Sequence, residues 1–196
     1  MKRPARAARA RELPQQVRIV GGSLRRSVLP VLDRPGLRPT PQRVRQTLFN
    51  WLGQDLTGWA CLDAFAGTGA LGFEAASRGA ASVLMLERDP ELVAALRAAQ
   101  ARLRAGAVSV ERAEALSWMH GAARGRLQLV LLDPPFDDPA MLELALQAAA
   151  HLVAPGGFLY VESARPLRGC PAGFQPWRKA RAGAVHFHLL RREGSG

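Results

Sequence analysis

Residues 62–72 of the chain read Leu62-Asp63-Ala64-Phe65-Ala66-Gly67-Thr68-Gly69-Ala70-Leu71-Gly72. An apolar run over 60–64 leads into the glycines, and an alanine-rich pattern of helical periodicity follows over 70–78. The glycines therefore lie in a turn between a β-strand and an α-helix, which is how a βαβ unit begins. This stretch predicts an α/β fold with a parallel sheet, whose ligands bind at the carboxyl ends of the strands.

Strand and helix patterns alternate after this unit, as a parallel sheet with crossover helices requires. Helix boundaries are marked by Asp89-Pro90 and Asp138-Pro139, each a capping acid followed by proline, and by Gly79 and Gly106 just past helix ends. Two C-terminal strands are close enough in sequence to pair as an antiparallel hairpin. We predict strands over 60–64, 82–87, 108–111, 127–132, 158–162, 174–179 and 185–190, and helices over 70–78, 90–104, from 114, and over 139–152.

The N-terminal region does not show the strand and helix alternation of the main domain, and it is more basic. Apolar stretches on either side of Gly21-Gly22, within 17–31, predict a short hairpin, and a Pro/Gly-rich loop follows over 33–39. Thr40 then provides a helix N-cap before Pro41, and the helix continues to Gly53. We divide the chain into a basic tail (1–16) that we expect to be disordered, an extension (17–52) and a main domain (53–196).

The charge distribution indicates a polyanionic partner. The net charge is +11, but residues 1–50 carry 12 basic and 2 acidic groups, 51–162 carry 8 and 13, and 163–196 carry 7 and 1. Basic ends around an acidic centre fit a phosphate-binding surface beside a catalytic core, so we favour nucleic acid binding over charge that serves solubility alone. With 196 residues and 48% hydrophobic content, one main core is expected.

Other partners are not supported by the composition. The two cysteines and four histidines form no disulfide framework and no metal-binding motif, so we expect no metal ion and a reducing, cytoplasmic setting. No apolar run approaches the length of a membrane span, so no membrane association is expected.

The glycine turn matches the dinucleotide pattern Gly-x-Gly-x-x-Gly, with Glu87 twenty residues beyond Gly67. Asp63 changes this interpretation, because an acid before the turn repels a pyrophosphate but suits the ammonium group of S-adenosylmethionine. The sequence therefore favours S-adenosylmethionine over NAD, with a turn flanked by solvated acids as the plain alternative. The predicted cofactor-binding residues are Asp63, Phe65, Ala66, Gly67, Thr68, Gly69, Glu87, Arg88, Glu114 and Ala115, with Glu87 on the ribose hydroxyls and Glu114 on the adenine amino group.

Asp133-Pro134-Pro135-Phe136 ends the apolar run 127–132 and is the predicted catalytic stretch. The Asp133 carboxylate and the Pro134 carbonyl could accept hydrogen bonds from the NH2 group of a planar base, while Phe136 stacks on the ring. A base in a duplex cannot reach such a turn, so the target is expected to be looped or flipped out. The alternative is an ordinary Pro-Pro turn.

The chain resembles the bacterial 16S ribosomal RNA (guanine-N2)-methyltransferase family over about residues 17–191. The glycine turn and the Asp133–Phe136 stretch occur in many amino-methyltransferases, whereas the N-terminal motifs are narrower and favour this family. The resemblance rests on Arg18-Ile19-Val20-Gly21-Gly22, Gly36-Leu37-Arg38-Pro39-Thr40, residues 43–52, residues 62–72, Asp133-Pro134-Pro135-Phe136 and Tyr160-Val161-Glu162.

The resemblance implies a Rossmann-like class I methyltransferase fold: a seven-stranded, mostly parallel sheet with an antiparallel C-terminal hairpin and a basic N-terminal extension of a hairpin and a helix. It also implies S-adenosylmethionine as methyl donor and 16S ribosomal RNA, or an assembling small subunit, as partner. Separately, we expect the protein to be a monomer. Glu114 departs from the family, whose members often carry Asn or Asp there. The residues that we expect to contact RNA are Arg18, Arg38, Thr40, Arg43 and Arg45.

Three alternatives remain open at this point. The Asp133–Phe136 stretch would serve any planar amine, including adenine N6 or a base in DNA. A non-catalytic RNA-binding assembly factor could use the same scaffold. A nicotinamide-dependent oxidoreductase would instead bind NAD at the glycine turn.

Overall fold

The structure is a computed structural model that describes residues 16–34, 37–134 and 139–194. The hairpin strands β1 and β2 and helix α1 precede the main sheet, and strands then alternate with helices up to β7. The elements are β1 (Gln16–Arg18), β2 (Val28–Pro30), α1 (Gln42–Trp51), β3 (Ala60–Asp63), α2 (Ala70–Ser77), β4 (Ser82–Glu87), α3 (Pro90–Leu103), β5 (Val108–Arg112), α4 (Ala115–Gly121), β6 (Leu127–Leu132), α5 (Pro139–Ala150), β7 (Val153–Ser163), β8 (Phe174–Ala182) and β9 (Val185–Arg192).

Seven strands form the main sheet in the order β5-β4-β3-β6-β7-β9-β8. Strands β3 to β7 are parallel, whereas β9 is antiparallel to both β7 and β8. The predicted mostly parallel sheet with an antiparallel C-terminal hairpin is confirmed. The order reverses direction between β3 and β6, and a crevice at such a switch point is where open α/β sheets bind ligands.

The extension packs into the same core as the sheet. The predicted hairpin forms between β1 and β2, although its strands are only three residues long and the connection spans 19–27. Leu29, Val44 and Phe49 are fully buried in one cluster with Phe187 and Leu189 of β9. In the basic tail, only Gln16 lies within the described residues, and it begins β1.

Of the three predicted helix N-caps, one is confirmed, one is wrong and one lies outside the described residues. Asp89 caps α3 as predicted, because its carboxylate accepts from the backbone N–H groups of Glu91 and Leu92. The prediction for Thr40 is wrong: Pro41 takes the N-cap position of α1, and no side chain caps that helix. The Thr40 hydroxyl is instead directed across the molecule to Asp133. Asp138 lies outside the described residues.

None of the helices in the described ranges combines the length and apolar character that crossing a membrane requires.

Candidate active site

A cavity opens at the carboxyl ends of β3, β4 and β6, at the switch point of the sheet. It brings most of the predicted cofactor residues together with Asp133 and Pro134 of the predicted catalytic stretch. The loop of the N-terminal extension forms one wall, which the sequence alone did not reveal. Its lining includes Arg34, Leu37, Arg38, Pro39, Thr40, Asp63, Phe65, Ala66, Gly67, Thr68, Glu87, Arg88, Glu114, Ala115, Asp133 and Pro134.

The glycine turn is held by Glu87. One carboxylate oxygen of Glu87 accepts from the Gly67 N–H at 3.0 Å, and the other accepts from the N–H groups of Arg88 and Asp89. Gly67 adopts a φ of 51°, in the left-handed region that favours glycine. The predicted ribose acceptor therefore also holds the glycine turn in place through the Gly67 N–H.

Gly69 does not line the cavity, in contrast to its predicted contact with cofactor. It has a φ of 75° at the N-cap of α2, and a Cβ on it would meet Leu96 at 2.6 Å and Phe73 at 2.8 Å. The second glycine thus allows close packing of the turn on the core, because a side chain there would overlap its neighbours.

Asp63 lies at the end of β3, is 1% exposed and accepts the Gly72 N–H at 2.9 Å. Burial raises its pKa to about 7, and the charges of Glu87 and Glu162 act in the same direction. Among the described residues, Asp63 has no ion pair with Lys, Arg or His. A buried carboxylate without a counter-ion beside an open cavity fits a cationic ligand.

Asp133 follows β6 and is held by a residue of the extension. The Thr40 hydroxyl donates to Asp133 Oδ2 at 3.3 Å, and the Tyr160 hydroxyl donates to Glu162 Oε1 at 2.9 Å. Burial raises the pKa of Asp133 well above its usual value, and the charges of Glu162 and Asp63 raise it further. Pro134 lines the cavity, whereas Pro135 and Phe136 lie outside the described residues.

Glu114 lines the cavity, and its side chain caps the N-terminus of α4. Its two carboxylate oxygens accept from the backbone N–H groups of Leu116 and Ser117. These bonds lower its pKa and leave fewer lone pairs for the adenine amino group. Ala115 is buried beside it at the first position of the helix.

Arg45 is the main correction to the predicted RNA contacts. It is 2% exposed, and its Nη1 lies 3.1 Å from Glu74 Oε2, so it cannot also bind phosphate on the surface. Glu74 is fully buried and pairs with Arg78 as well, at 2.9 Å. Glu74 also accepts the N–H groups of Val20 and Gly21 and thereby ties the extension to α2.

The other predicted RNA contacts are distributed around the extension. Arg18 and Arg43 are exposed, and Arg38 is exposed while it lines the cavity. Thr40 is 6% exposed and faces Asp133, so its position favours a role in the active site over a surface contact with RNA.

The strand order, the glycine turn after β3 and the Asp-Pro turn after β6 together define a class I methyltransferase. Within that class, the chain belongs to the family described as Conserved hypothetical protein 95, which matches residues 17–191.

Relatives and solved structures agree with this assignment. Ribosomal RNA small subunit methyltransferase D of Escherichia coli is 41% identical over 185 residues, which are 92% of each chain. The structure of yhhF from Escherichia coli has a TM-score of 0.80 and 40% identity, covering 92% of this chain and 99% of that one. The structure of precorrin-6y C5,15-methyltransferase from Geobacter metallireducens is 15% identical to this chain and has a TM-score of 0.64. It covers 84% of this chain and 94% of that one, and it shares the fold.

Proposed function

We propose that the protein transfers a methyl group from S-adenosylmethionine to the exocyclic N2 of a guanine in 16S ribosomal RNA of the small subunit. The proposal depends on the observation that Gly67 of the glycine turn and Asp133 line the same cavity. The substrate class is supported by the small-subunit methyltransferase of Escherichia coli, which is 41% identical to this chain.

The residues of the cavity fit S-adenosylmethionine. Asp63 would hold its ammonium group, Glu87 its ribose hydroxyls, and Gly67 allows its close approach to the backbone of the turn. When bound, this cofactor supplies an electrophilic methyl group on a positively charged sulfur. The buried carboxylate of Asp63, which forms no ion pair among the described residues, would offset such a charge.

Asp133 prepares the amine for attack. Its Oδ2 accepts from Thr40, which leaves Oδ1 to accept a hydrogen bond from the NH2 group of the base. A second hydrogen bond to the Pro134 carbonyl would draw the nitrogen toward tetrahedral geometry and free its lone pair for in-line attack. Phe136 would stack on the ring, as predicted from the sequence.

Exposed arginines in the extension and beyond the carboxyl end of β7 would bind the phosphates of RNA. Arg43 lies near the start of α1, three residues beyond Thr40. Arg181 of β8 is level with His186 of β9 and Ser163 of β7, at the carboxyl end of β7, and Arg165 and Arg168 follow soon after in the chain. These arginines are exposed and, within the described part of the chain, form no ion pair. Such unneutralised charges favour phosphate binding.

Charge reversal tests this phosphate binding. We expect Arg43→Glu and Arg181→Glu each to weaken binding to small-subunit RNA and to lower the slope of log affinity against log salt by about one, the effect of one lost phosphate contact. Arg126→Glu is the matched control, because Arg126 is exposed before β6 at the opposite end of the sheet. Binding isotherms at several salt concentrations provide the measurement, and unchanged slopes would refute the phosphate contacts.

The affinity for the cofactor should depend on pH through Asp63. A cationic ligand favours the carboxylate, and the pKa of Asp63 is about 7 in the free protein. As the pH falls below 7, a proton must be displaced, so affinity should decrease about tenfold per pH unit. Calorimetry between pH 8 and pH 6 measures this. Asp63→Asn should bind more weakly at pH 8 without the same pH dependence, and a flat wild-type profile would contradict the role.

Methylation of RNA by the purified protein tests the function as a whole. Unmodified 16S RNA and unmodified small subunits, each incubated with S-adenosylmethionine carrying a labelled methyl group, distinguish naked RNA from assembled substrate. We expect label on the N2 of one guanine. Label on an adenine would change the substrate, and absence of label from both forms would refute the proposal.

A further inference from the structure

Tyr160 and Glu162 form part of a chain of buried polar side chains that leads to Asp133. They belong to β7, Thr40 precedes α1, and Asp133 follows β6, so three separate parts of the protein meet. Tyr160, Glu162 and Thr40 are 0%, 2% and 6% exposed. Tyr160 donates to Glu162, and Thr40 donates to Asp133. Val161 of β7 pairs with Leu132 of β6 in parallel register, so the next residues along the two strands, Glu162 and Asp133, lie side by side.

The hydrogen bonds of this chain restrict the orientation of Asp133. The Thr40 hydroxyl has one proton, which it donates to Asp133 Oδ2, so this oxygen is held in place and Oδ1 faces another partner. The Thr40 backbone is also fixed, because its carbonyl accepts from Arg45 Nε at 3.2 Å. Asp133 is therefore held at Oδ2 by a group that cannot move independently of the extension.

We propose that Glu162, which is held by Tyr160 and lies beside Asp133, is a positioning residue that restricts the orientation of Asp133 and controls its protonation. This inference rests on the proposed function, since it concerns the acid that binds the amine. Glu162 does not line the cavity that Asp133 lines, so it acts on the substrate only through its neighbours.

The groups around Asp133 determine the direction of the expected effects. From β7, the negative charge of Glu162 raises the pKa of Asp133; from β3, Asp63 does the same; and from the extension, the hydrogen bond of Thr40 lowers it. Tyr160 is neutral near pH 7, because burial and Glu162 raise its own pKa well above the usual value. Arg34 and Arg38 are cationic residues of the extension that line the same cavity.

Two isosteric variants should shift the pH dependence in opposite directions. Glu162→Gln removes a negative charge while it retains acceptors for Tyr160, so the acid limb of the kcat profile should move to lower pH, by roughly one unit as expected for a close like charge. Thr40→Val removes the hydroxyl, so the acid limb should move to higher pH and the plateau should fall by about tenfold. Thr40→Ser should restore both.

The test measures the pH profiles of kcat and, in parallel, the titration of the Asp133 carboxyl group in protein without substrate. Carbon-13 NMR titration of the Asp133 carboxyl in the free protein should show the same opposite shifts. Ser163→Ala is the matched control, a buried residue next to Glu162 whose hydroxyl donates to the Arg165 carbonyl. Its profile should coincide with that of the wild type.

The outcomes separate this inference from the proposed function. A wild-type protein that methylates no RNA refutes the function, while the NMR titration still tests Glu162. The inference is overturned if the wild-type protein is active and the Asp133 carboxyl titrates at the same pH in the wild type, in Glu162→Gln and in Thr40→Val. The inference is also overturned if both variants shift the acid limb in the same direction. A general loss of order in the site would have the same effect in both variants, whereas the inference requires opposite shifts.

Discussion

Replacing Asp133 by Asn is expected to lower kcat for RNA methylation by about 10²–10³-fold, the range for loss of one preorganised polar group at a reacting centre. The amide retains the size of the side chain and an acceptor oxygen, but it lacks the negative charge that polarises the NH2 group of the base. Thr40 can still donate to the amide oxygen, so the turn after β6 should keep its place. The loss is therefore expected in kcat rather than in folding.

The measurement is initial-rate methyl incorporation into unmodified small-subunit RNA with saturating S-adenosylmethionine. Thermal shifts with S-adenosylhomocysteine should match those of the wild type, which would show that the cofactor site is intact. Asp55→Asn serves as control, because Asp55 is an exposed aspartate whose Oδ1 accepts from Thr57. Normal activity of Asp133→Asn would contradict an enzymatic role for this turn and favour a non-catalytic RNA-binding factor.

Replacing Glu74 by Ala is expected to lower the free energy of unfolding by about 3–5 kcal/mol, as when a buried ion pair loses one partner. Arg45 and Arg78, at 2% and 8% exposed, would keep their charges in the interior without a carboxylate. The pKa of Arg45 is already lowered by its burial, even with Glu74 present. The backbone N–H groups of Val20 and Gly21 would lose their acceptor as well.

Urea unfolding followed by circular dichroism measures this effect. Glu143→Ala on α5 is the control, since Glu143 is exposed and its loss should change the stability by less than about 0.5 kcal/mol. Arg45→Ala should also destabilise the protein, whereas an RNA contact on the surface would have left its stability unchanged. Equal stability of Glu74→Ala and the wild type would show that this buried cluster does not hold the extension.

The sheet and the cofactor turn were predictable because local patterns determine them. Alternating strand and helix periodicity fixed the order of the elements, and the acid-proline pair at Asp89 fixed a helix start. The segment from Asp63 to Gly72 combines three glycines with one acid, so its position at the cavity could be predicted without knowledge of the packing.

The contacts of the extension were not predictable from local patterns, because they depend on how α1 packs. Val44 and Leu48 are spaced as on one face of a helix, but Phe49 is buried with them, and the inward face of α1 is therefore wide enough to include Arg45. Its partner Glu74 lies within the apolar helix α2, where a lone acid could have suggested a buried ion pair. Glu162 gave the same kind of signal in β7, as an acid at the end of an apolar strand.

The double attachment of Thr40 restricts how the chain could be recombined with other proteins. Its carbonyl is bound by Arg45 and its hydroxyl binds Asp133, so one residue of the extension completes the active site from outside the sheet. A chimera that joins residues 53–196 to a different RNA-recognition module would retain the cofactor turn but leave Asp133 without its donor. Such a fusion would need a hydroxyl of its own at this position, and exchange of the extension between methyltransferases is therefore restricted to those that supply one.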